Sequence, residues 1–121
     1  MDFHAEATAE KICFAKFCSE HKISAVLGTH THVQTADEKI INNYTAYISD
    51  AGFCGAYDSV IGMAYESSLK RLMTSIPERF DIDENPTVEL NAVSMSFDAV
   101  SGQAQSIERI QFIKDYSEEK A

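Results

Sequence analysis

The order of apolar and polar positions divides the chain into short alternating segments. Asp2-Phe3-His4 reads as a strand. Residues 6–21 read as a helix, because Ala5, Ala7, Ala9 and the nearby Glu and Lys residues are good helix formers. Its apolar positions, Ile12, Cys13, Phe14, Ala15, Phe17 and Cys18, cover a broad face suited to a sheet. Lys11, Lys16 and Glu20 are expected to point outward. Residues 23–27 form a short apolar run ending at Gly28, the pattern of a buried parallel strand. Residues 38–41 and 45–50 read as two strands joined by a tight Asn42-Asn43 turn.

A glycine-bearing loop is expected over residues 50–59, longer than most connections. Residues 64–75 read as a helix ended by Pro77, with Leu69, Leu72, Met73 and Ile76 on one face and Lys70 and Arg71 outside it. A short strand is expected over residues 80–82 and a turn at Asp83-Glu84-Asn85-Pro86. Val93, Met95 and Phe97 alternate with polar neighbours, as do Ile110 and Phe112, so residues 88–97 and 107–113 read as an antiparallel pair joined through Gly102. The fold class is α/β, with mixed sheets and flanking helices. Residues 1–113 are read as one domain body and residues 114–121 as a charged, frayed tail.

This order of elements brings distant histidines together. If the strand at residues 2–4 and the run at residues 23–27 are parallel neighbours, the helix between them is the crossover. His4 then falls at the same sheet edge as Gly28-Thr29-His30-Thr31-His32. Ligands of open α/β sheets sit beyond the carboxyl ends of such strands.

Composition narrows the classes of function. The 121 residues carry a net charge of −9, of which −6 lies in residues 76–121. Clustered Lys and Arg are lacking, which argues against a nucleic-acid polymer as partner. A small phosphorylated substrate stays open, because bound metal ions invert the local potential. No apolar run approaches the ~20 residues of a membrane span. The first residues have neither the basic nor the apolar region of a signal peptide. Cys13, Cys18 and Cys54 lack CxxC spacing and read as reduced, mostly buried thiols of a cytoplasmic protein.

Neutral imidazole is a good ligand for Zn, Fe, Mn or Ni. His30 and His32 flank one residue: an extended segment would point both to one side, whereas a turning loop would aim them at two ions. His4, His30 and His32 are therefore the candidate metal ligands. His21 falls at a helix end and reads as a cap. Among nearby carboxylates, Glu6 is either a helix-start residue or a partner orienting His4, Asp37 either orients a histidine or starts the following strand, and Asp2 is read as structural. No GxSxG elbow, GxxxxGK[ST] loop or GxGxxG stretch occurs. Three histidines alone would also serve a stand-alone mononuclear zinc hydrolase. A non-enzymatic partner module is the third alternative, since half a sheet seeks a mate.

Three blocks, Asp2-Phe3-His4-Ala5-Glu6-Ala7-Thr8-Ala9-Glu10-Lys11, Gly28-Thr29-His30-Thr31-His32-Val33-Gln34-Thr35-Ala36-Asp37 and Tyr57-Asp58-Ser59-Val60-Ile61-Gly62-Met63, together resemble the C-terminal half of the YmdB-like bacterial metallophosphoesterases, within the calcineurin-like superfamily. The resemblance runs from residue 2 to about residue 113. It implies a four-layer α/β sandwich and a dinuclear centre of iron or manganese, with zinc as the alternative. It implies phosphodiesterase activity on 2′,3′-cyclic and 3′,5′-cyclic nucleotides or another small phosphodiester. His4 and His30 would share one ion and His32 would hold its neighbour. The family's N-terminal half supplies an Asp, a bridging Glu, two Asn ligands and a histidine general acid. None of these blocks is present, so the chain holds no catalytic residue of its own. It is expected to be a fragment, inactive alone, needing the missing N-terminal half as partner and forming a homo-oligomer when complete.

Overall fold

The computed structural model describes residues 1–120. It is a mixed α/β structure with two sheets and two α-helices, and it divides into two compact units. The first unit comprises residues 1–52 and 91–110; the second comprises residues 53–90 and the residues from 111 onward.

The first unit is built on β1 (Asp2–His4), α1 (Thr8–Glu20), β2 (Ala25–Thr29), β3 (Lys39–Ile41) and β4 (Thr45–Ile48). The strands form one sheet in the order β1-β2-β4-β3. β1, β2 and β4 are parallel, and β3 closes the edge antiparallel to β4. The crossover between β1 and β2 is α1, as the order of elements required. Asn42 and Asn43 adopt φ of 51° and 53°, the left-handed pair of a tight turn closed by Tyr44 N donating to the Ile41 carbonyl at 3.0 Å.

α1 buries Lys11, Ala15, Cys18 and Ser19, a narrow stripe at helical spacing. Ala15 and Cys18 pack with Val26, Ile41 and Tyr47, and Phe3, Ile12, Phe14 and Ile23 close around them. Each fully buried aliphatic or aromatic side chain of this kind contributes roughly 1.5–3 kcal/mol. The expectation for Lys11 is corrected: it is 2% exposed, drawn inward by a buried carboxylate. Phe17, expected on the buried face, is exposed instead. His21 caps the helix, its Nδ1 lying 2.9 Å from the Phe17 carbonyl. None of the three cysteines is in a disulfide; Cys18 is buried, and Cys13 and Cys54 are exposed, against the expectation of mostly buried thiols.

β5 (Gly55–Ala56), β6 (Thr87–Phe97) and β7 (Ala104–Asp115) form the second sheet, in that order. β5 lies within the stretch expected to be loop and pairs with β6 at Gly55–Glu89 and Ala56–Val88. The turn between β6 and β7 is fixed by Asp98, whose Oδ1 accepts from Ser101 N at 2.7 Å, and by Gly102 at φ 73°. β7 continues to Asp115, so the first residues of the expected tail are strand; the tail's last residue, Ala121, lies outside the described residues.

In the second unit, α2 (Tyr65–Thr74) turns its serines inward. Ser67 and Ser68 are buried, whereas Leu72 and Met73 are 80% and 77% exposed. The expected apolar face is thus the outer one in this chain. The inner face is held by polar contacts instead: Asp81 N donates to Ser67 Oγ at 3.3 Å and Ala64 N to the Asp81 carbonyl at 2.8 Å. The strand expected over residues 80–82 is reduced to a single bridge between Met63 and Ile82. No helix among the described residues is long and apolar enough to cross a membrane.

Candidate metal centre

The candidate site lies at the carboxyl edge of the parallel strands. His4 ends β1 and stands opposite Thr29, the last residue of β2. The chain then turns through residues 30–33. β4 ends on the same edge, and Ser49, Asp50 and Gly52 follow it.

This register brings two of the three candidate ligands into contact. His4 Nε2 lies 3.3 Å from His30 Nδ1, and the rings meet edge-on with centroids 5.1 Å apart. Two imidazole nitrogens held at ~2.0–2.1 Å from one ion, at tetrahedral or cis-octahedral angles, stand about 2.8–3.4 Å apart. The observed pair falls inside that window. Both rings are exposed at the edge and open to an ion from solvent.

The second ring nitrogen of His4 also has a partner. Thr29 Oγ1 donates to Asp2 Oδ1 at 3.4 Å, so its lone pairs are left to accept from His4 Nδ1 at 3.1 Å. The tautomer with its proton on Nδ1 fits these contacts and would leave the Nε2 lone pair facing His30. A ligating histidine is normally fixed through its second nitrogen in this way. Asp2, read from the sequence as structural, accepts from Thr29 Oγ1 at this edge. Nothing in the sequence marks Thr29 beyond its place beside the HxH at a strand end.

His30 and His32 have φ of 145° and 60°, so the backbone turns at both. The segment is the turning loop, not the extended one, of the two alternatives. The amide between them, Thr31 N, donates to Asp50 Oδ2 at 2.7 Å. Asp50 is 1% exposed and lies 3.7 Å from Lys11 Nζ. Burial pushes its carboxyl upward, but the amides of Gly52 and Thr31 and the charge of Lys11 outweigh this and hold it below the usual range.

The two carboxylates singled out as orienting groups are placed differently. Asp37 does not spend its oxygens on a histidine: Oδ1 accepts from Thr35 Oγ1 at 2.7 Å and Ser49 N at 3.1 Å, and Oδ2 accepts from Ser49 Oγ. It pins the end of the histidine loop to the end of β4. Burial raises its pKa and these bonds lower it further, for a net lowering. Glu6 is exposed, two residues before α1 begins. Gln34 continues the anchoring, donating to the Ala92 carbonyl of β6 at 3.0 Å.

Among the described residues, no group of three or more His, Cys, Asp or Glu side chains converges as a complete metal site. The edge offers a preformed pair, His4 and His30, with His32 further along the same turn.

A family model described as YmdB-like protein matches residues 1–110. The chain belongs to the YmdB-like family. Within it, the chain is 45% identical over 116 residues to a 2′,3′-cyclic-nucleotide 2′-phosphodiesterase of Bacillus subtilis (strain 168), covering 96% of this chain and 43% of that protein. Two solved structures share the fold at a TM-score of 0.85. One is a hypothetical protein of Thermus thermophilus, 34% identical, with 93% of this chain and 43% of that one covered. The other is a novel phosphatase of Mycoplasma pneumoniae, 35% identical, with 94% and 40% covered. The chain thus spans less than half the length of these YmdB-like relatives.

Proposed function

We propose that this chain supplies the three-histidine side of a dinuclear metal centre in a phosphodiesterase acting on cyclic nucleotides, 2′,3′-cyclic and 3′,5′-cyclic. The observation that carries this reading is the pairing of His4 Nε2 with His30 Nδ1 at 3.3 Å, a ligand pair already at metal-sharing distance. His4 and His30 hold one ion. The turn at His30 and His32 suits His32 to a neighbouring ion. The YmdB-like resemblance implies iron or manganese for such a centre, with zinc as the alternative.

The ions supply Lewis acidity toward the phosphodiester and acidify the attacking water. The chain's own residues do the holding. Thr29 Oγ1 lies within hydrogen-bond reach of His4 Nδ1 and of Asp2, leaving His4 Nε2 toward His30, and Asp37 and Gln34 anchor the segment that leaves the histidine loop. Three neutral imidazoles neither bridge two ions nor offset their charge. The bridging carboxylate, the remaining ligands and the general acid come from outside these residues, in a segment that corresponds to the rest of the YmdB-like relatives. The chain alone is inactive on this account, and the complete protein is a cytoplasmic homo-oligomer.

Metal titration of alanine variants tests the assignment. His4→Ala and His30→Ala should abolish the same binding event, while His32→Ala should leave it in place and weaken a second. A single tight zinc that needs all three histidines equally would favour the mononuclear hydrolase instead.

A further inference from the structure

Resting on the metal-centre reading above, we propose that Lys11 and Asp50 are a positioning pair that sets the backbone between His30 and His32, and with it the spacing at which these histidines meet an ion. Lys11 and Asp50 are 2% and 1% exposed. One carboxylate oxygen, Asp50 Oδ2, faces Lys11 Nζ at 3.7 Å and accepts from Thr31 N at 2.7 Å. The other, Oδ1, accepts from Gly52 N at 2.9 Å. The buried charge is thus spent on backbone amides at the sheet edge.

Three features favour positioning over plain stability. A buried ion pair is a weak source of stability, because desolvation offsets much of the attraction. An apolar pair on α1 and in the segment after β4 would serve the core as well. Next, His30 and His32 both hold positive φ, a state that persists in residues other than glycine only where the surroundings enforce it. Asp50 grips the one amide between them. Finally, room for the lysine stem is built into β2. A Cβ on Gly28 would lie 3.2 Å from Lys11 Cδ. The stem therefore passes β2 at the residue that leads into the histidine loop.

The test uses the full chain, with Zn²⁺ as probe. Lys11→Met/Asp50→Asn removes both charges at nearly constant shape. Circular dichroism reports folding, calorimetry reports Zn²⁺ affinity, and hydrogen exchange reports the Thr31 amide in the metal-free chain. The double variant is expected to fold, bind Zn²⁺ at least tenfold more weakly, and lose at least tenfold protection at Thr31 while the β2 amides keep theirs. If the double variant does not fold, Asp50→Asn alone carries the same readouts. Lys11→Arg, which keeps the cation, should retain affinity within threefold. A folded variant that binds within twofold of wild type overturns the positioning role and leaves the metal centre standing. A wild-type chain that binds no Zn²⁺ overturns the metal-centre reading and this inference with it.

Discussion

His4 and Thr29 face each other across the parallel β1–β2 pair, and their side chains join, His4 Nδ1 to Thr29 Oγ1, at 3.1 Å. The register of two strands thereby gives His4 Nδ1 its partner and leaves Nε2 toward His30. A backbone relationship becomes a chemical one.

Thr29→Val keeps the shape of the side chain and removes the hydroxyl. His4 Nδ1 then loses its partner. Metal affinity should fall roughly 10–100-fold, the usual cost of losing such a partner. Thr29→Ser should restore most of it. Calorimetry with Zn²⁺ or Mn²⁺ checks both, and unchanged affinity in Thr29→Val would remove Thr29 and Asp2 from the site.

Gly28 is constrained by space. A Cβ there would stand 1.8 Å from the Ser49 carbonyl oxygen, which is backbone and cannot swing aside. Gly28→Ala must therefore part β2 from the chain beyond β4, where Ala51 N donates to the Gly28 carbonyl at 2.9 Å. The expected loss is roughly 3 kcal/mol. Urea denaturation measures it, and a change under about 0.5 kcal/mol, the range of an ordinary surface substitution, would contradict the packing described.

Acid should loosen the same edge. Burial works against the charged forms of Asp37 and Asp50, yet their hydrogen bonds leave both pKa values lowered. A carboxylate held down in the folded state binds fewer protons than the unfolded chain at mildly acid pH. Its contribution is fully present above the unfolded value near ~3.9 and is lost as pH falls through the lower folded value. Tm should hold from neutral pH to about 5 and then drop. Asp37→Asn should lower Tm at neutral pH and flatten the acid fall. An equally steep fall in that variant would assign the acid sensitivity elsewhere.

Much of this edge was legible in the sequence. The β1–α1–β2 order, the parallel pairing and the Asn42-Asn43 turn follow from local pattern, and that topology alone brings His4 toward His30 across 26 residues. Helix periodicity assigns Lys11 to solvent; the partner that draws it inward, Asp50, follows a strand far off in sequence. β5 escaped notice because a two-residue strand carries no periodicity. The apolar residues of α2 were rightly grouped on one side, but the pattern of one helix does not say which side meets the rest of the chain. Asp37 lay close to the histidines in sequence, yet its oxygens went to Ser49, whose position only the fold reveals.

The central claim is that these residues are one side of a two-metal site. Its most direct test is hydrolysis of 2′,3′-cyclic AMP by the purified, metal-loaded chain, alone and mixed with the separately produced segment of a YmdB-like relative that this chain does not match. The chain alone should give no turnover above metal in buffer. The mixture should turn over, and His4→Ala, His30→Ala or His32→Ala should each abolish that activity. Robust metal-dependent turnover by the chain alone would contradict the account.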